Sequence, residues 1–140
     1  MIGYVYKIQI HDKVYIGSTT DLEKREEYHN IDLNEKIKNT KLYIYCRENN
    51  ITQIKLIILD KSGYDNRNDL LWLERLYIEK YNSIENGLNM VLPIYSIEER
   101  NNIKKITRTK TMKKQLKWTS FYDKFLFVYK NRVLNRTLCI

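Results

Sequence analysis

A chain of 140 residues that is 43% hydrophobic and 30% charged is long and apolar enough to bury a core, which excludes a disordered polymer. Its net charge of +8 is unevenly held: residues 1–100 carry 14 Lys and Arg against 16 Asp and Glu, residues 101–140 carry 11 against the single Asp123. No apolar run approaches the ~20 residues that span a bilayer, no basic-then-apolar leader opens the chain, and Cys46 and Cys139 show no disulfide or zinc spacing, so the expected setting is intracellular and reducing.

"GYVYKIQI" (3–10) is rich in aromatic and β-branched residues and puts Tyr4, Tyr6, Ile8 and Ile10 on one face at period two. "HDK" (11–13) is a tight turn and "VYIG" (14–17) the returning strand, so the chain opens on a β-hairpin. Thr20-Asp21-Leu22-Glu23 fits a capping box, with Thr20 capping a helix from about Asp21 to Asn30. "TKLYIYCREN" (40–49) predicts a second helix with Leu42, Tyr45 and Cys46 on one side. "QIKLIILD" (53–60) is nearly continuous in apolar residues and reads as a buried central strand.

"KSGYDNRN" (61–68) has loop chemistry and "DLLWLERLYIEKY" (69–81) is a strong helix pattern, after which "NSIENGLN" (82–89) turns the chain toward "MVLPIY" (90–95). Composition and charge change together near Pro93 to Ile97, which divides the chain into a globular part, 1–95, and a basic extension, 96–140. The order β-β-α-α-β-α predicts an α+β fold, a small three-stranded antiparallel sheet flanked by helices.

Two places carry chemistry. At 100° per residue Leu70, Leu73, Tyr77, Ile78 and Tyr81 share one face of the third helix and Glu74 lies inside that stripe, while Arg75 and Glu79 point away. An ionised carboxylate there loses hydration unless a positive group or several donors replace the water. Three arrangements satisfy it: an ion pair with a core arginine, protrusion from a partly buried helix, or a metal on a cleft floor. The second place is the strand-to-helix corner, where Arg25 and His29 at i, i+4 share a face close to Tyr15. Arginine offers a planar fork suited to phosphate oxygens, and Gly17 permits close approach.

The basic extension reads either as a solubilising tail or as a polyanion-binding segment, with Lys104, Lys105, Arg108, Lys110, Lys113, Lys114 and Lys117 as its phosphate contacts. Threonines at 107, 109 and 111 oppose a long helix there. "FYDKFLFVY" (121–129) is apolar enough to dock on a core, stack on bases or pair with another chain.

Taken together, "GYVYKI" and "VYIGST", the spacing from Tyr15 to Arg25 to His29, "LERLYIEKY" around Glu74 and "NGLNM" around Asn89 resemble the GIY-YIG nuclease family over residues 1–92. Two features depart from the pattern. Tyr4 separates Gly3 from Val5-Tyr6, and where some members carry a second histidine this chain reads "KNTKLYIY", with Lys38 or Lys41 nearest. The resemblance implies an endonuclease that nicks DNA (RNA not excluded), one Mg²⁺ or Mn²⁺ on Glu74, and action as a monomer or a transient dimer on substrate. It implies Arg25 on the scissile phosphate, Tyr6 directing the water, Tyr15 and His29 orienting it or relaying its proton, and Gly17 and Asn89 bracing the site. The alternatives are a non-catalytic nucleic-acid-binding module on the same fold, and a protein-interaction domain with a basic tail.

Overall fold

The structure is a computed structural model that describes residues 1–110. The chain divides into two units, Met1–Ile94 and Tyr95–Ile140.

The first unit opens on the expected hairpin. β1 (Ile2–Ile10) and β2 (Lys13–Thr19) pair antiparallel from Ile10↔Lys13 to Tyr4↔Thr19. His11 takes φ 53°, which a two-residue hairpin loop needs at its first position to match the strands' twist. Next come α1 (Leu22–Asn34), α2 (Lys41–Glu48), β3 (Ile57–Gly63) and α3 (Arg67–Tyr81). Among the described residues the sheet has three strands in the order β2-β1-β3, all antiparallel, as expected for the α+β class.

Alternation along β1 sends its side chains into two separate cores. Tyr6, Ile8 and Ile10 pack with Leu33 of α1, with Leu42, Tyr43 and Cys46 of α2, and with Ile54 and Leu88. Val5 points to the other face and packs with Ile16 of β2 and with Leu70 and Ile78 of α3. The sheet is thus covered on both sides.

Several local expectations change. The central strand is β1, because β3 pairs with its free edge; β3 lies outside, with Ile57 and Ile58 46% and 54% exposed. β3 also begins four residues later than expected and runs through 61–63, which read as loop. The cause is α1: Asn30 Oδ1 accepts from Ile54 N at 2.7 Å, its Nδ2 donates to Ile54 O at 3.0 Å, and Glu26 Oε2 accepts from Leu56 N at 2.9 Å. These side chains take the backbone groups that a strand over 53–56 would offer to a neighbour. The α1 cap is Asp21 rather than Thr20, its Oδ1 accepting from Lys24 N at 3.1 Å, and the helix extends four residues past Asn30 so that Leu33 reaches the core. α3 starts two residues earlier than expected, behind an Asn66–Asp69 capping box. Tyr81, at its end, is 37% exposed rather than part of the buried stripe.

In the second unit residues 97–110 are helical, capped reciprocally by Ser96 and Glu99. Thr107 and Thr109 lie within the helix, their hydroxyls donating to the carbonyls of Ile103 and Lys105, both at 2.9 Å.

Candidate active site

Tyr6 is the hub of the strand-to-helix corner. The hydroxyl is buried under α1, where Arg25 Nε donates to it at 2.9 Å and His29 Nε2 lies 2.8 Å away. Arg25 and His29 are one helical turn apart, and that spacing lets both reach a single oxygen. The His29 ring stands edge-on to Tyr6 and Tyr15, with each pair of centroids 5.8 Å apart. Burial, then the Arg25 charge, push the imidazole down to about 4, so it is neutral at physiological pH. Burial pushes the Tyr6 and Tyr15 hydroxyls above the ordinary tyrosine value, against the pull of Arg25.

Gly17 faces Tyr6 across the β1–β2 ladder, and an added Cβ would sit 2.5 Å from the Tyr6 hydroxyl. Asn89 fastens the outer edge of the same strand: Ile16 N donates to its Oδ1 at 2.8 Å and its Nδ2 donates to Ile16 O at 2.9 Å. Ser83 donates to the same Oδ1 at 2.8 Å, and Leu88 N donates to Val14 O at 2.9 Å. Gly87 permits that approach, since a Cβ there would strike Val14 O. The segment covers the unpaired edge that β2 otherwise presents.

Glu74 reaches the site from the other side of the sheet. The two neighbours one turn away, Leu70 and Ile78, are buried, yet its carboxylate accepts a hydrogen bond from the Ser18 hydroxyl of β2. Burial raises its carboxyl above the usual range, opposed by that hydrogen bond and by the charges of Arg25 and Arg67. Tyr15 and Gly17 point to the α1–α2 face of the sheet and Ser18 to the α3 face, so the site is built around the edge of β2 rather than on one face.

Two cavities meet there. One, of about 320 Å³, is walled by His29, Lys38 and Tyr43 on the α1–α2 side; the other, of about 530 Å³, by Ser18, Tyr64 and Arg67 on the α3 side. Tyr15, Arg25, Glu74 and Pro93 line both. Tyr6 lines neither and has no exposed surface. Of the two lysines near the missing second histidine, Lys38 lines the first cavity and pairs with Asp32 at 2.7 Å, whereas Lys41 donates to Ile84 O at 3.0 Å.

Among the described residues no group of three or more His, Cys, Asp or Glu could hold a metal by itself. The donor set of one carboxylate and one hydroxyl, the carboxylate lining both cavities and the hydroxyl the second, fits a hard divalent cation that keeps most of its waters and takes phosphate oxygens from a substrate.

In the second unit Lys104, Lys105, Arg108 and Lys110 are exposed along the 97–110 helix. Lys113, Lys114, Lys117, the 121–129 segment and Cys139 lie outside the described residues. Sequence reasoning missed Ser18, Asp32 and Tyr43. A signal existed for Tyr43, which lies three residues before Cys46 and so on its helix face; for Ser18 there was none, because its partner is 56 residues away.

A family model described as the GIY-YIG catalytic domain matches residues 2–89. Among solved structures, the chain is similar to a glutamate-to-alanine mutant of the catalytic domain of intron endonuclease I-TevI, with 26% identity and a TM-score of 0.59 over 69% of this chain and all of that one. It is also similar to the catalytic domain of homing endonuclease I-TevI, with 27% identity and a TM-score of 0.57 over 64% of this chain and 98% of that one. No curated protein sequence matches.

Proposed function

This chain belongs to the GIY-YIG family, and we propose that it is a divalent-metal-dependent endonuclease that hydrolyses phosphodiester bonds in DNA, one strand per catalytic event. The observation that carries this reading is the common wall of the two cavities: a guanidinium, a cleft-facing tyrosine and a half-buried carboxylate brought together from opposite faces of one sheet.

Catalysis of phosphoryl transfer is mostly positioning and charge stabilisation. Arg25, held at Nε by Tyr6, presents its planar charge to the non-bridging phosphate oxygens, where negative charge grows as water attacks. The family resemblance implied Tyr6 as the group directing the water. With Tyr6 closed from solvent, that contact falls to Tyr15, which lines both cavities, and Tyr6 holds Arg25 and His29 behind it. His29, neutral and packed edge-on against Tyr15, fixes that ring's position. Glu74, oriented by Ser18, would hold Mg²⁺ or Mn²⁺. When bound, the cation supplies Lewis-acid polarisation of the phosphate and stabilises the departing oxygen. Asn89 and Gly17 keep β2 and its tyrosine in register.

The exposed Lys104, Lys105, Arg108 and Lys110 contact the phosphate backbone, giving affinity without sequence preference. Among the described residues no helix is long and apolar enough to cross a membrane.

The test is supercoiled plasmid incubated with the purified chain and Mg²⁺ or Mn²⁺. Conversion to the open circular form, lost in Glu74→Gln while a gel shift persists, supports the reading. Binding without cleavage under either cation overturns it in favour of a non-catalytic module, and no nucleic-acid binding leaves the protein-interaction reading.

A further inference from the structure

Behind the site, a line of hydrogen bonds continues past His29 to the surface. His29 Nδ1 lies 2.8 Å from the Tyr43 hydroxyl, and the Tyr43 hydroxyl donates to Asp32 Oδ2 at 3.2 Å. Asp32 Oδ2 also receives Lys38 Nζ at 2.7 Å. The run from Arg25 through Tyr6, His29 and Tyr43 to Asp32 therefore joins α1 to β1, returns to α1, crosses to α2 and ends on α1.

The two ends of this run fix the direction of every proton within it. Asp32 Oδ2 accepts in its ion pair with Lys38, so the proton of Tyr43 points to it. The Tyr43 oxygen is then an acceptor toward His29, which puts the imidazole proton on Nδ1 and leaves Nε2 bare. Bare Nε2 accepts from Tyr6, so the Tyr6 proton turns toward His29. At the other end Arg25 Nε only donates, and the Tyr6 oxygen receives it. Each hydroxyl gives one proton and accepts another without conflict. Reversing any one bond would set two donors or two acceptors face to face and leave a hydrogen bond unmade away from water.

We propose that Tyr43 and Asp32 are positioning residues of the catalytic centre: they hold His29 as the Nδ1–H tautomer and thereby keep the lone pairs of the Tyr6 hydroxyl turned toward Arg25. Neither touches substrate. Their effect reaches the reaction through Arg25, whose guanidinium plane is set by the oxygen that receives its Nε. Lys38 lines the cavity and pairs with Asp32 from outside. This inference rests on the proposed nuclease reading for its effect on rate, but the tautomer is measured without substrate.

The experiment is long-range ¹H–¹⁵N NMR of the two histidines, assigned with His29→Gln; His11 is exposed and serves as the internal reference. At neutral pH the expected result is an Nδ1–H imidazole for His29, and an Nε2–H or doubly protonated ring overturns the proposal. Tyr43→Phe removes the acceptor and is expected to move His29 to Nε2–H or a mixture, and to lower kcat about tenfold or more with KM within about threefold. Asp32→Ala removes the acceptor of the Tyr43 proton and is expected to move the His29 tautomer in the same direction and to lower kcat, by less than Tyr43→Phe does. A Tyr43→Phe protein with unchanged tautomer and kcat overturns the assignment. So does equal loss of kcat in the two variants with both tautomers unchanged, which would mark a merely structural role. Should the wild type cleave nothing, the tautomer result in the wild type and in Tyr43→Phe still decides the hydrogen-bond polarity, so the two readings fail separately.

Discussion

Asn89 and Ile16 are bonded as two strands would be, with the side-chain amide of one donating to and accepting from the backbone of the other at 2.9 and 2.8 Å. The Asn89 side chain stands in for a missing neighbour on the outer edge of β2, beside Tyr15. Asn89→Ala leaves a buried N–H and C=O without partners, at about 2–4 kcal/mol. Chemical denaturation should show that loss, and nicking should fall more than DNA binding, because Tyr15 moves with its strand. An unchanged denaturation midpoint would contradict this role.

Gly17→Ala places a methyl group against the Tyr6 hydroxyl, which has no room to retreat. Overpacking of this kind costs about 1–3 kcal/mol. The expected outcome is a lower melting temperature and a loss of kcat as Tyr6 shifts off Arg25. Gly17→Ala combined with Tyr6→Phe should regain part of the stability without regaining activity.

His29 makes stability depend on pH. The folded imidazole titrates near 4 against an ordinary 6.5, so the unfolded chain binds the proton more readily. Its contribution is complete above pH 6.5 and is lost as pH falls from there toward 4, at about 1.4 kcal/mol per pH unit. Between pH 6.5 and 5 the wild type should lose about 2 kcal/mol that His29→Gln does not lose, as read from paired denaturation curves.

Glu74 has the opposite sign to an ordinary surface carboxylate. A raised carboxyl value means that the folded state prefers the protonated form, so ionisation weakens the fold above that value and does not below the unfolded one. Glu74→Gln should therefore raise the melting temperature at neutral pH, with the gain shrinking in acid, while nicking drops at least about 100-fold. Added Mg²⁺ should lift the melting temperature of the wild type and not of the variant. Chelation should abolish cleavage in a form that Mg²⁺ or Mn²⁺ restores.

Replacing Lys104, Lys105, Arg108 and Lys110 by alanine should weaken DNA binding about equally across sequences. The slope of log affinity against log salt should shallow by about three to four, one ion released per lost phosphate contact. An unchanged slope would return this helix face to simple solubilisation.

The sequence by itself determined what depends on neighbours along the chain. The hairpin was legible because period two and a short turn are local signals. Glu74 stood out because helical periodicity states which residues share its face, and the charge of the extension needs only counting. Where each element lies depended on tertiary structure. β3 begins late because Asn30 and Glu26, side chains of α1, claim the backbone at 54 and 56. Ser18, Tyr43 and Asp32 entered the site through partners 56, 14 and 11 residues away. Periodicity tells which way a side chain faces from its own element, but not which element lies opposite; closure of the sheet between two cores decided that, and it wrapped the site around the edge of β2.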